Sequence, residues 1–246
     1  MKPRTLLLNL ALLTGIVCMP GSVAHAQDAH LTAPDPAQIS FVNFDPAKDV
    51  FTMSGSRITS TDFSEVNGTP NFLPNYVHGT VIFENGKVYR EGLLQLNLVT
   101  NQVQFLYNGK PLVFAEPVKS FTLIDTSGGK TRSAWFNSGY PDYGAHHPNN
   151  FYQVLAIGPK VQLLKFISKH TSEQYQYSSL SKVYFKTNED LFIYDVNSEE
   201  LHYISNSASS IEKALGPAAE ALVHEPGKKK LTENEIIQVV EKYNKS

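Results

Sequence analysis

The stretch GTVIFENGKVYREGLLQLNLVTNQVQFLYNGKPLVF, residues 79–114, restricts the fold more than any other part of this chain. Leu94, Leu96 and Leu98 alternate with Gln95 and Asn97, and Val103, Phe105 and Tyr107 alternate with Gln102 and Gln104, which is the period of strands with one buried face. Asn85-Gly86 and Asn108-Gly109 supply the positive φ angles of two-residue hairpin turns. Further β-type runs follow at 112–114, 118–124, 151–157, 161–167, 183–185, 191–194 and 201–204. Gly158-Pro159 and Asn188-Glu189-Asp190 are read as two more hairpin closures. Consecutive hairpins of this length make an antiparallel meander, and a long twisted meander curls or splits into packed layers. The fold expected is therefore mainly β: a curved sheet or open barrel, with two or three helices at its C-terminal end.

The helical end is marked by a change of period after residue 207. Ser209 with Glu212 reads as a capping box opening a helix through Leu215, which Gly216-Pro217 breaks before a second segment over 218–224. Thr232 with Glu235 reads as another, and Ile236, Val240 and Tyr243 share one face of the helix behind it. Lys87, Arg90 and Glu91 beside the first turn look like charges that protect a sheet edge.

Residues 1–26 have a cationic start at Lys2 and Arg4, an apolar run from Leu6 to Val17, and the small-residue exit Ala24-His25-Ala26. That is the pattern of a secretory signal cleaved after Ala26, so a periplasmic or extracellular location is expected. Residues 27–38 read as a flexible leader, 39–207 as the antiparallel β domain and 208–246 as helices packed on it. Cys18, the one cysteine, would leave with the signal, which excludes disulfides, thiolate metal sites and a cysteine nucleophile from the mature part. No later run reaches the roughly 20 apolar residues of a membrane-spanning helix. The formal net charge of −2 argues against nucleic acid and anionic membranes as partners.

Three segments together, NGTPNFLPNYVHGTVIFENGKVYREGLLQLNLVTNQVQF (67–105), FYQVLAIGPKVQLLKF (151–166) and KKKLTENEIIQVVEKYN (228–244), resemble an uncharacterised family of secreted or envelope proteins of Gram-negative bacteria. The matching features are Gly68-Thr69-Pro70, Phe72, Gly79 and Asn97-Leu98-Val99-Thr100. The resemblance implies a periplasmic or surface β protein with C-terminal helices and brings no catalytic residue with it.

Motifs that carry chemistry are sparse. TLIDTSGGKT (122–131) ends like a phosphate loop, but Ile124 stands where the first glycine belongs and RSAWFNSGYP after it is no helix. SSLSK (178–182) holds a Ser-x-x-Lys spacing without its partner motifs. The one dense group of possible ligands is YPDYGAHHPNN (140–150), with Asp142, His146 and His147. Imidazole and carboxylate suit a transition metal, yet adjacent histidines on extended backbone point to opposite sides. The aromatic residues on strands read as core, with an apolar groove under the curved sheet, able to take an acyl chain, or a tyrosine platform for sugar rings, as the functional alternatives.

The reading that results is a secreted, non-enzymatic envelope protein, a binding or interaction module for an apolar small molecule or another envelope protein. A metal-assisted hydrolase centred on Asp142, His146 and His147 and a structural subunit of an envelope assembly are the alternatives. No catalytic, cofactor-binding or metal-ligating residue is assigned, and no cofactor is expected.

Overall fold

The computed structural model describes residues 63, 65–176, 179–223 and 229–246. The expected signal, the leader, the start of the β domain near Ile39, and His224 to Gly227 lie outside the described residues. Among these residues eleven strands form one sheet: β1 (Val66–Asn67), β2 (Val77–Phe83), β3 (Val88–Asn97), β4 (Gln102–Tyr107), β5 (Lys110–Val113), β6 (Val118–Asp125), β7 (Arg132–Asn137), β8 (Tyr152–Ala156), β9 (Val161–Gln176), β10 (Ser179–Asp195) and β11 (Glu200–Ile204). Three helices follow among the described residues, α1 (Ala208–Leu215), α2 (Glu220–Val223) and α3 (Glu233–Lys245). None is long and apolar enough to cross a membrane.

Two meanders make the sheet, β2-β3-β4-β5 and β6-β7-β8-β9-β10-β11, joined edge to edge by the antiparallel β2–β6 pair. β10 is long enough for its free edge to hold β11 beside one half and β1 beside the other, β1 being the one parallel partner. The sheet coils without closing. At the paired glycines Gly79 and Gly92 the β2–β3 register shifts, with Glu91 in the left-handed region. A Cβ at Gly79 would overlap the Thr122 carbonyl of the neighbouring strand. The coil carries the β3–β4 turn over to β8 and β9. There Lys169 donates its N–H to the Leu98 carbonyl at 3.1 Å, and Phe151 donates its own to Asn101 Oδ1 at 3.3 Å.

The inner face of this half-barrel is filled by its own side chains. Phe83, Phe105, Phe121 and Phe136 are fully buried, with Phe121 and Phe136 stacked at 4.9 Å. Phe72, arriving from the segment after β1, packs edge-on to Phe136 at 5.1 Å and plugs one end. Further along the same face, Leu163 and Ile193 pack with Ile211, Leu215, Ile236 and Val240 of the helices. Lys165, nearly buried between these two cores, pairs with Glu233 at the start of α3 and with Glu189 of β10 at 3.7 Å. On the opposite face the loop over 138–150 covers Tyr152, Leu164 and Phe192. One end of the sheet is thus sandwiched between helices and loop.

Local expectations met the structure unevenly. Asn108 and Gly109 both take positive φ, as a two-residue turn requires, but in the first hairpin only Gly86 does. That connection is a four-residue loop, 84–87, closed by the Phe83 N–H on the Lys87 carbonyl. Asn188-Glu189-Asp190 is no turn: these residues continue β10 and pair with Ser168, Ile167 and Phe166. The helix expected from Ser209 is capped instead by Ser207, whose hydroxyl accepts the Ser210 N–H. Thr232 and Glu235 do form a reciprocal capping box on α3. Lys87, Arg90 and Glu91 flank interior strands, not an edge, and Lys87 binds Glu116 at 2.9 Å.

Candidate functional site

With the inner face occupied, exposed apolar surface gathers on the outer one. Four large hydrophobic side chains among the described residues stand clear of the core, Leu93, Ile124, Tyr143 and Tyr203. They fall into two pairs on the outer face. Strand parity explains the first pair. Leu94, Leu96, Phe121 and Leu123 point inward, so Leu93 and Ile124 are apolar residues out of phase, flanking His78 across three adjacent strands.

This row floors a cleft of about 330 Å³. One wall is the segment from Leu73 to His78 and the other is the turn over Asp125, Thr126 and Ser127. Both walls are fixed. Buried Gln95 donates to the carbonyls of Leu73 and Pro74, and the Tyr76 hydroxyl donates to Gln104 at 3.2 Å. Lys169 holds the preceding stretch through the carbonyls of Thr69 and Asn71, both at 2.8 Å, and its burial lowers the ammonium pKa. On the far wall, hydrogen bonds from Ser127, then Arg132 at 2.9 Å, hold the Asp125 carboxyl below the usual range. The one carboxylate among the described residues of the cleft is therefore already hydrogen-bonded, and the lining also presents the aliphatic side chains of Leu93 and Ile124, the His78 imidazole, the exposed Asn75 amide and the Thr126 hydroxyl.

The second region is the loop that carries the expected ligand cluster. A two-residue hairpin at Gly144-Ala145 pairs Tyr143 with His146. It brings Asp142 and His147 together, Oδ1 to Nδ1 at 2.9 Å, both well exposed. His146 turns the other way. Its ring packs edge-on to Phe166 at 4.5 Å and Phe192 at 5.1 Å, and burial lowers its pKa, opposed by Asp190 and reinforced by His147. Two of the three candidate ligands thus meet and the third does not, and no group of three or more His, Cys, Asp or Glu side chains among the described residues is arranged to hold a metal.

Beneath the loop lie two tyrosines in opposite conditions. Tyr140 donates its hydroxyl to buried Gln162 at 2.8 Å and accepts from Asn137 at 3.2 Å. Tyr152, fully buried beside it, has no hydrogen-bond partner for its hydroxyl among the described residues, and burial pushes that phenol up to about 12, the Asp142 carboxylate adding to the shift.

No family model matches this chain, no curated protein is similar to it, and no solved structure matches its fold. The site therefore has to be read from its own geometry. Sequence reasoning passed over the cleft although its signal was present: in GLLQLNL the strand pattern accounts for Leu94, Leu96 and Leu98 and leaves Leu93 unexplained. The Gly128-Gly129 stretch is a loop between two strands, with both glycines at positive φ, and not the lead-in to a helix.

Proposed function

We propose that this protein is a non-enzymatic binding module of the cell envelope that takes a small, uncharged, partly apolar molecule in the outer cleft. The observation that carries the reading is the pair Leu93 and Ile124, about one third exposed on the floor of a cleft whose two walls are tied down by side-chain hydrogen bonds. A site of this size lies at the lower end of the range for small-molecule pockets. Its preformed walls reduce the ordering cost of binding. With Asp125 already neutralised by Arg132, a charged guest gains no counter-charge there. An aliphatic or ring body would rest on Leu93 and Ile124, with a polar end toward Thr126, Asn75 or His78. The expected extracytoplasmic location supports a role in holding or carrying such a molecule.

The test is fluorescence titration with N-phenyl-1-naphthylamine, a neutral apolar dye. Saturable binding that weakens about tenfold or more in Leu93→Asp and in Ile124→Asp is expected, because each change puts a charge where apolar contact was. Absence of saturable binding, or binding indifferent to both substitutions, refutes the assignment. The metal-assisted hydrolase reading has no comparable observation behind it, since His146 faces away from Asp142 and His147.

A further inference from the structure

The second exposed pair, Tyr143 and Tyr203, is built differently from the cleft. Both rings stand edge-on to Phe192, at 5.4 and 5.7 Å and with the same interplanar angle of 75°. Phe192 itself is 1% exposed and locked among Tyr152, His146 and Leu164. Two half-exposed phenol rings are thus braced by one immobile ring, Tyr203 from a sheet strand in register with Phe192 and Tyr143 from the tip of a pinned loop.

The outer face continues from there along the β9–β10 ribbon. Phe166 lies opposite Asp190, Ser168 opposite Asn188, and His170 opposite Lys186, and all six residues point outward by strand parity. Asn188 and His170 already touch at 3.4 Å. At about 3.3 Å per residue the track from Phe192 to Lys186 runs about 20 Å. It presents hydroxyl, amide, imidazole and carboxylate groups beside the two tyrosine faces, with Asp142 and His147 on the loop side.

We propose that this surface binds a neutral pyranose oligosaccharide. A sugar ring has an apolar face of C–H groups and an equatorial rim of hydroxyls. The negative π-face of tyrosine attracts the first, and short polar side chains in the same surface bond the second. Tyrosine also fixes little entropy on binding, having two side-chain torsions. A protein partner fits less well, because protein interfaces concentrate apolar area at their centre and deplete it of charge, whereas the tyrosines here are interleaved with Asp142, His147 and Asp190. A polyanion fits less well because Asp142 and Asp190 repel it and Lys186 is the one cation of the track. This inference is independent of the cleft: it uses other residues at the other end of the sheet and another class of ligand.

The experiment is isothermal titration of the full chain with cellohexaose, maltohexaose and N-acetylated chitohexaose. Binding of at least one is expected, weakened about tenfold in Tyr143→Ala and in Tyr203→Ala, each losing one stacked ring. Tyr143→Phe keeps the ring and is expected to retain most of the affinity, and Leu93→Asp in the cleft to leave it unchanged. The proposal is overturned if none of the three sugars binds, if binding survives the double alanine substitution with the fold intact, or if Tyr143→Ala abolishes a self-association in sedimentation instead of sugar binding.

Discussion

Tyr140 and Tyr152 pack against one another with ring centroids 5.3 Å apart, and the same substitution at each is expected to change stability with opposite sign. Tyr152→Phe removes a hydroxyl that is buried without a hydrogen-bond partner among the described residues, while leaving its ring contacts to Phe166 at 5.5 Å and Phe192 at 5.7 Å in place. An unsatisfied buried polar group costs about 1–3 kcal/mol. The packed ring needs no rearrangement, so deleting the hydroxyl should stabilise the protein by about 1 kcal/mol. Tyr140→Phe instead strips buried Gln162 of its donor and Asn137 of its acceptor, a loss of about 1–3 kcal/mol. For a domain of this size each kcal/mol moves the melting temperature by about 2–4 °C. Urea and thermal unfolding of the two variants against the parent should therefore place Tyr152→Phe above it and Tyr140→Phe below it. A Tyr152→Phe protein less stable than the parent by more than about 0.5 kcal/mol would refute the reasoning, since it would mean that the hydroxyl has a partner in solution.

His146 makes the loop sensitive to acid. Its folded-state pKa lies below the ordinary value of about 6.5, so the folded protein binds fewer protons than the unfolded one as pH falls. The stability it contributes is whole above about pH 6.5 and declines through the interval down to the lowered value. Burial is the main cause of the lowering, which Asp190 opposes and His147 reinforces. His146→Phe should flatten the dependence between about pH 7 and 5, and parallel unfolding curves for the two proteins over that range would count against this account. Gly79→Ala forces a methyl group into the Thr122 carbonyl of a neighbouring strand. A loss of about 3 kcal/mol is expected, the upper end for overpacking, and an unchanged urea midpoint would show that the β2–β3 coil can relax.

What was legible in the sequence was local. The alternation around Leu94 and Leu96, the Asn108-Gly109 turn and the Thr232/Glu235 box each depend on residues a few positions apart, and each appears in the structure. Misreadings arose where a distant partner decides. Asn188-Glu189-Asp190 has the composition of a turn, yet β9 lies alongside it for its whole length and its backbone groups are satisfied there. RSAWFN has too few apolar residues to announce a strand, and becomes β7 because β6 and β8 flank it. Ser207 takes the cap expected of Ser209 because β11 ends at Ile204 and leaves Ser205 and Asn206 to make the turn into the helix. The Asp142, His146 and His147 group was visible as a cluster of residue types, but only the two-residue hairpin at Gly144-Ala145 decides that His147 meets Asp142 while His146 packs, half-buried, against Phe166.

The same contrast explains where binding surfaces arise on this fold. Among the described residues, Phe72, Phe105, Phe121 and Phe136 pack together on the inner face of the coiled sheet, so the aromatic residues that suggested a groove there serve as core. Alternation then makes the outer face informative. Away from the core that the 138–150 loop covers, a polar residue on that face needs no explanation, whereas an aliphatic or aromatic one is out of phase with the period that builds the strand. Leu93 and Ile124 are such exceptions, converging with Thr126 and Asn75 in the cleft, whereas Tyr143, on the loop, and Tyr203 stand half-exposed at the margin of the small outer core around Phe192. If those exceptions are there for ligands, Leu93→Thr and Ile124→Thr, which restore the polar phase, should cost little stability while weakening dye binding in the cleft. If they are there for the fold, the same changes should destabilise the sheet as a buried leucine would, by about 2 kcal/mol or more.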